Sequence, residues 1–147
     1  MDRIVPARKW FIRTALSYLG TPYLWGGDDP SGFDCSGLVV ECLKTVGLMD
    51  QNDDATADGL FHRFHSARVE QPSRGCLIFF FSTTGPDAVA THVAICLDSH
   101  FQISAGGGDS RVIDQSKASE YNAFIRIRPI PRDLSRVVII DPFLYAG

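Results

Sequence analysis

The hydrophobic pattern of the chain changes its period near residue 76, and this change constrains the fold more than any other sequence feature. Before that point apolar residues recur at helical spacing, and after it they form short runs bounded by Gly, Pro, Asp and Ser. A chain of 147 residues fits one domain of ordinary size. Helices followed by strands predict an α+β fold, with N-terminal helices packed on a mostly antiparallel sheet of about five or six strands.

Two amphipathic helices are predicted in the first part of the chain. The first covers residues 8–19 and ends before Gly20, because glycine commonly terminates helices. The second begins after Asp34, a residue type favoured at helix N-caps, and ends at Gly47. Residues 53–65 have only a weak helical pattern and are a candidate for a short third helix.

Five strands are predicted in the second part of the chain, separated by turn-forming residues: 76–82, 91–98, 101–105, 111–114 and 123–130. The apolar residues 137–145 fit a last strand docked on the core, which we favour, or an exposed patch that binds a partner. We therefore predict a single domain over residues 1–147, with a core at 8–130 and a C-terminal extension or last strand at 131–147.

Charge and hydropathy exclude several classes of protein. The formal net charge is −3, which lacks the basic footprint of a nucleic-acid-binding or membrane-anchored protein. No apolar run approaches the roughly 18 residues that a membrane-spanning helix needs. The N-terminus has neither the apolar core nor the cleavage site of a secretory signal, so the chain is expected to be cytoplasmic as made. We expect no nucleic-acid or membrane partner.

The residues that commonly bind metals and phosphates are not arranged as in known sites. The 4 cysteines have no CxxC spacing and are too few for a disulfide scaffold, so we interpret them as reduced thiols. His62 and His65 form an HxxH pair without a supporting Cys or carboxylate cluster. The three glycines before Asp109 lack the Lys and Ser/Thr of a phosphate loop. No metal or other cofactor is expected.

Cys35 is the strongest candidate for a chemical role. It falls in the first turn of the second predicted helix, where unpaired backbone N–H groups and the helix dipole favour the nucleophilic thiolate. Most free cysteines are small buried hydrophobes instead, and this interpretation suits Cys42 and Cys96. The polar, glycine-rich loop before Cys35 argues against it there, because such a loop lets a substrate backbone approach the sulfur.

A cysteine nucleophile needs a base, and His92 is the best placed of the four histidines. It opens an apolar strand, from which its side chain can project toward a helix terminus. Gln102 and Ser104 share one face of the next strand, and either can orient the imidazole. A turn of odd length brings that face beside His92 and a two-residue turn does not, so the sequence leaves the register open.

Four segments around these candidates follow one another in an order typical of a known family: Leu19-Gly-Thr-Pro-Tyr-Leu-Trp-Gly-Gly27, Gly32-Phe-Asp-Cys-Ser-Gly-Leu38, Arg74-Gly-Cys-Leu-Ile-Phe-Phe80 and Thr91-His-Val-Ala-Ile95. They resemble the NlpC family of bacterial cell-wall cysteine peptidases, which have a compact papain-like fold. The resemblance implies that Cys35 is the nucleophile and His92 the general base. It also implies that Tyr23 helps to line the oxyanion site.

The same resemblance assigns substrate-binding residues and exposes one departure. Asp34 and Ser36 match positions that help to bind the stem peptide, and Trp25 and Gln102 are predicted to bind substrate beside them. The third catalytic position, a His, Asn or Gln in the family, is Ser104 here. A hydroxyl orients an imidazole more weakly than an amide does, so either Gln102 substitutes for it or the site is less active.

The implied function is hydrolysis, through a thioester, of an amide in peptidoglycan stem peptides, between γ-D-glutamate and a diamino acid. Two alternatives stay open: a thiol acyltransferase or amidase on the same scaffold, and a catalytically silent module that binds peptidoglycan peptides. The expected partner is a stem peptide or muropeptide. Three biological settings stay open: a phage tail or lysis component, an effector injected by a secretion system, and a cytoplasmic recycler of wall fragments. In the first two, a carrier that holds residues 137–145 would bring the protein to the periplasm or cell wall.

Overall fold

Helices cover one face of an antiparallel sheet in the computed structural model, which describes residues 3–29, 32–108 and 110–146. The helices in these ranges are α1 (Ile4–Ser17), α2 (Cys35–Thr45), α3 (Ala57–Phe64) and α4 (Gln115–Tyr121). The strands are β1 (Asp28–Asp29), β2 (Gly32–Phe33), β3 (Arg68–Val69), β4 (Leu77–Phe81), β5 (Ala90–Cys96), β6 (Phe101–Gly106), β7 (Phe124–Pro129) and β8 (Val137–Ile140).

The six-stranded sheet has the order β3-β8-β4-β5-β6-β7, and all of its paired strands are antiparallel. β1 and β2 form a separate two-stranded ribbon just before α2. The predicted α+β class and the predicted sheet are therefore confirmed. Residues 137–140 form β8, which pairs with β3 on one side and β4 on the other.

The main core lies between the helices and the sheet. α1 contributes one stripe, Phe11, Ile12 and Ala15, as expected of an amphipathic helix. α2 is buried along most of its length and packs against α1, β5 and β6, which explains why its apolar residues occupy more than one stripe. The opposite face of the sheet carries a smaller apolar cluster: Cys76, Ile78, Ala94, Cys96 and Ile139.

An ion pair holds the end of the sheet to the first helix. Arg8 donates through Nη1 and Nη2 to the two carboxylate oxygens of Asp141, at 2.9 and 2.6 Å. Its guanidinium also lies over the ring of Phe143, 4.7 Å from the ring centre. Asp141 directly follows β8 and is buried, so this contact joins residues that are far apart in the sequence.

One predicted strand is wrong, and one helix was not anticipated. Residues 111–114 form no strand; Val112 instead accepts a hydrogen bond through its backbone oxygen from the amide of Trp25. Asp114 then caps α4, whose sequence contains one fully buried residue, Ala118. A short helix with so few buried residues has no apolar stripe for periodicity to detect.

Candidate active site

Cys35 is the first residue of α2, as the sequence predicts, and Asp34 is the N-cap of that helix. The Asp34 carboxylate accepts a hydrogen bond from the amide of Gly37 through Oδ1, at 2.7 Å. Its Oδ2 accepts from the amide of Gly26, at 3.1 Å. The cap therefore fixes both the start of the helix and the glycine-rich loop that precedes it.

Close packing explains the glycines around the cysteine. A Cβ atom on Gly37 would overlap the carbonyl oxygen of Gly27, and a Cβ atom on Gly27 would overlap that of Gly32. The amide of Asp34 donates to the Gly27 carbonyl at 3.1 Å, which holds the loop against the helix start. Cys35 lines a cleft beside this loop.

The helix start meets the sheet at β5. The backbone of Val93 lies close enough to the Cys35 thiol to lower its pKa, so the thiol lies near the residue that follows His92. Nε2 of His92 lies 3.3 Å from Oγ of Ser104 on β6. Nδ1 of His92 makes no hydrogen bond with the described residues, so it is the ring nitrogen available to accept a proton.

The turn between β5 and β6 resolves the question of register. Leu97 and Phe101 close a turn of odd length, and beyond it Cys96 pairs with Gln102. This register places Gln102 and Ser104 on the same face as His92, because strand side chains alternate. The Gln102 amide donates to the Pro129 carbonyl at 3.0 Å, whereas the Ser104 hydroxyl is the group within hydrogen-bond distance of the imidazole.

Burial is the largest influence on the pKa values of Cys35 and His92. It raises the pKa of the Cys35 thiol, and the amides of Val93, Ser36 and Cys35 itself offset this only in part. Burial also lowers the pKa of His92 to about 4. Both shifts favour a neutral thiol beside a neutral imidazole, and for Cys35 the effect of burial opposes the thiolate that the helix start favours.

The remaining predicted site residues lie in the same cleft. Tyr23 is buried and Trp25 is 57% exposed. Both line the two parts of the cleft that Cys35 also lines. The Ser36 hydroxyl donates to Asp34 Oδ1 at 3.3 Å. The hydrogen bonds seen for Asp34 and Ser36 thus support the helix start. Both residues also line the hollow beside Cys35.

The cleft consists of two hollows that meet at Cys35 and carry opposite charge. The first, of about 480 Å³, contains His92, Gln102, Ser104 and two arginines of β7, Arg126 and Arg128. The second, of about 530 Å³, contains the acidic residues Asp28, Asp34 and Asp54. We name them the basic hollow and the acidic hollow.

Two features of the site were missed by the sequence analysis. Arg126 and Arg128 alternate along β7, and that period was the available signal that both share one face of the strand. Gly108 follows β6 and lies against the ring of Tyr23, so that a Cβ atom there would overlap the ring. Nothing in the local sequence indicates this contact, because it joins residues more than eighty positions apart.

A metal site is not formed by the part of the chain that the structure describes. No group of three or more His, Cys, Asp or Glu side chains is gathered there in a way that could hold a metal ion. His62, one member of the HxxH pair, lies 3.2 Å from an oxygen of Asp58 on the same helix. Within the same described ranges, every helix is too short or too polar to cross a bilayer.

Comparison with known proteins relates the chain to one family. The model of the NlpC/P60 family matches residues 20–127, which is more than half of the chain. Dipeptidyl-peptidase 6 of Lysinibacillus sphaericus is 33% identical over 105 residues, covering 71% of this chain and 35% of that protein. The γ-D-glutamyl-L-lysine dipeptidyl-peptidase of Bacillus subtilis is 32% identical over 100 residues, covering 66% of this chain and 29% of that protein.

Solved structures agree on the fold. The peptidoglycan hydrolase RipB of Mycobacterium tuberculosis superposes with a TM-score of 0.67 at 24% identity, covering 99% of this chain and 70% of that chain. At this identity the likeness concerns the fold alone. The chain spans about a third of the length of the two curated relatives described above.

Proposed function

This chain belongs to the NlpC/P60 family, and from that premise we propose that it is a cysteine peptidase that hydrolyses an amide bond in peptidoglycan stem peptides. One observation carries the proposal. Cys35 lies at the N-terminus of α2, in one cleft with His92, whose other side faces Ser104. A nucleophile, a base and a group that orients the base are thus gathered where a substrate can reach them.

The first half of the reaction forms a thioester. His92 Nδ1 takes the proton of the Cys35 thiol as the sulfur attacks the substrate carbonyl carbon, and the imidazolium is held by the Ser104 oxygen at Nε2. The negative charge on the carbonyl oxygen is stabilised by the backbone amide of Cys35 and the hydroxyl of Tyr23. The C–N bond then breaks as the imidazolium gives its proton to the leaving amine.

The second half releases the acyl product. His92 takes a proton from a water molecule, whose oxygen attacks the thioester carbonyl. The C–S bond breaks, and the proton returns from His92 to the Cys35 sulfur. The neutral imidazole and neutral thiol favoured by burial are both the starting state and the final state of this cycle.

The bond proposed for cleavage joins γ-D-glutamate to a diamino acid. Support comes from the name of the Bacillus subtilis relative, a γ-D-glutamyl-L-lysine dipeptidyl-peptidase. Trp25, Asp34 and Ser36 border the cleft near the sulfur and are proposed to contact the stem peptide. Gln102, which lines the basic hollow, is proposed as a further substrate-binding residue.

Delivery by a carrier such as a phage tail or a secretion system is a further proposal. β8 is paired on both edges within the sheet, so residues 137–140 are not free to bind such a carrier as an added strand. Leu144 is 56% exposed and is the apolar side chain of this region that such a carrier can contact.

The experiment compares the wild-type protein with its Cys35→Ala variant on L-alanyl-γ-D-glutamyl-diamino acid tripeptides and on intact sacculi, with products identified by mass spectrometry. We expect L-alanyl-D-glutamate from the wild type and none from the variant. Transfer of the acyl group to an added amine, without hydrolysis, would favour the acyltransferase. Binding of the tripeptide without any reaction would favour the silent binding module.

A further inference from the structure

The two arginines of β7 lie beside the proposed catalytic pair. In the register of β6 and β7, Arg126 is directly opposite Ser104, and Arg128 is directly opposite Gln102. Residues directly opposite in an antiparallel pair share a face of the sheet. Both guanidinium groups therefore project on the same side as the imidazole, and both line the basic hollow.

Neither arginine has an anionic partner among the described residues. Arg126 donates through Nη2 to the backbone oxygens of Asn122 and Gly106, at 2.8 and 3.4 Å, and these contacts hold its side chain in place. Its Nε is buried without a hydrogen-bond partner, and Arg128 makes no ion pair there either. By contrast, Arg8 and Arg63 each contact an aspartate.

Oε1 of Gln102 is a second buried polar atom in the same hollow, after Nε of Arg126. Oε1 of Gln102 has no hydrogen-bond partner among the described residues, although the amide nitrogen of that side chain donates to Pro129. Buried polar atoms are nearly always hydrogen bonded in folded proteins. Both of the unpartnered side-chain atoms, on Gln102 and Arg126, belong to residues that line the basic hollow, so the polar groups of its wall are not all paired within the described residues.

The position of His92 tells which part of a substrate enters this hollow. The imidazole gives its proton to the leaving amine, so the leaving group must lie on the side of the cleft that contains His92. That side is the basic hollow, whereas the acidic hollow lies across the sulfur and takes the acyl part. This assignment rests on the function proposed above.

We propose that Arg126 and Arg128 form a subsite for a carboxylate carried by the leaving amino acid, so that substrates with this carboxylate are preferred over those without it. A guanidinium binds a carboxylate through two parallel hydrogen bonds, and the exposed guanidinium of Arg128, which makes no hydrogen bond or ion pair with the described residues, has its donors available for this purpose. The carboxylate can be the chain-terminal one or one on the side chain of the diamino acid.

The test uses four tripeptides of the form L-alanyl-γ-D-glutamyl-X. X is lysine or meso-diaminopimelate, each with either a free or an amidated α-carboxylate. We expect kcat/KM to rise about tenfold or more for one added carboxylate, as for a charge-assisted pair. A gain on restoring the α-carboxylate identifies the chain-terminal source, and a gain on replacing lysine by diaminopimelate identifies the side-chain source.

Variants then connect the preference to the arginines. Arg128→Gln and Arg126→Gln should each bring the ratio of kcat/KM between the acidic and neutral substrates toward 1, and Arg126→Lys should retain part of it. Arg132→Gln removes the same charge from an exposed residue outside the hollow and should keep the wild-type ratio. Because Arg126 also bonds two backbone carbonyls, Arg128→Gln alone decides the matter if Arg126→Gln fails to fold.

The outcomes separate this inference from the proposed function. Cleavage of all four tripeptides at equal rates would overturn the carboxylate subsite and leave the peptidase intact. A preference that survives in Arg128→Gln and in Arg126→Gln would also overturn it. Failure of the wild type to cleave any of the four would instead contradict the proposed peptidase activity.

Discussion

Nε2 of His92 and Oγ of Ser104 lie 3.3 Å apart, on neighbouring strands of the sheet. This contact occupies Nε2, and in the tautomer in which Nε2–H donates to Ser104, Nδ1 keeps the lone pair that can accept a proton. A hydroxyl at this distance makes a weak hydrogen bond, so the imidazole is oriented less firmly than an amide would orient it.

Replacing Ser104 tests this relationship. A neutral hydrogen bond contributes about 0.5 to 1.5 kcal/mol, so Ser104→Ala should lower kcat by a factor of roughly 2 to 13 in a tripeptide cleavage assay. Ser104→Asn should equal or exceed the wild-type rate, because an amide oxygen accepts from Nε2–H across a longer reach. Ser99→Ala, in an exposed turn, is the matched control. A wild-type kcat in Ser104→Ala would show that the hydroxyl does not orient His92.

The reactivity of the nucleophile should follow the burial of its thiol. Because burial raises the pKa of Cys35, alkylation by iodoacetamide should be slow at pH 6 and should increase about tenfold for each pH unit up to about pH 9. The rate is measured by mass spectrometry of the peptide that contains Cys35, with Cys35→Ala as the control for other thiols. A labelling rate that is already constant below pH 8 would reveal a stabilised thiolate instead.

His92 should make the fold less stable in mild acid. Its pKa is lowered from 6.5 to about 4 in the folded protein, so between these values the unfolded chain binds a proton that the folded protein does not. This contribution to stability is present above pH 6.5 and is lost as the pH falls, by about 2 kcal/mol between pH 7.5 and pH 5.

Urea unfolding of the wild type and of His92→Asn at both pH values isolates this contribution. For each protein we take the loss of unfolding free energy between pH 7.5 and pH 5. Because the other titrating groups are common to the two proteins, the difference between the two losses is the contribution of His92. We expect the wild type to lose about 2 kcal/mol more than the variant. Equal losses would place the imidazole in a solvated environment.

Gly108 should matter to activity through Tyr23. A methyl group at this position would overlap the tyrosine ring, so Gly108→Ala should displace the ring and lower kcat at least as much as Tyr23→Phe, which removes only the hydroxyl. Loss of one oxyanion donor costs about a hundredfold or more in rate. Gly59→Ala on α3 is the control, since its methyl group meets only ordinary or slightly tight contacts. A fully active Gly108→Ala would exclude a role for the position of the Tyr23 ring.

Much of the site could be predicted because it depends on local sequence. Cys35 follows an N-cap residue and a glycine-rich loop. These local features predict a helix start whose first residue a substrate backbone can approach. The assignment of His92 depended on the apolar strand that it opens. The positions of strands β4 to β7 could also be predicted from the sequence, because their apolar runs are bounded by turn residues.

What could not be predicted depends on contacts between distant segments. The turn length between β5 and β6 decides whether Gln102 and Ser104 share a face with His92, and the sequence leaves it open. The choice between the two required the hydrogen bonds that their side chains make, and the pKa of Cys35 required its burial. The strand expected at 111–114 has the right residue types but no partner strand, so its backbone bonds to Trp25 instead. Local propensity does not encode these relations.

The ion pair between Arg8 and Asp141 should be a principal anchor of β8. Asp141 is 5% exposed and accepts two hydrogen bonds from the guanidinium and one from the amide of Phe143, so a variant that keeps only one partner leaves a buried polar group unpaired. Asp141→Ala should therefore lower the free energy of unfolding by about 2 kcal/mol or more, measured by urea denaturation at pH 7. The double variant Arg8→Met/Asp141→Leu should recover part of this loss, because it buries no unpaired charge. A loss below about 0.5 kcal/mol in Asp141→Ala would mean that the pair behaves as an exposed surface contact and that β8 is held by its strand partners alone.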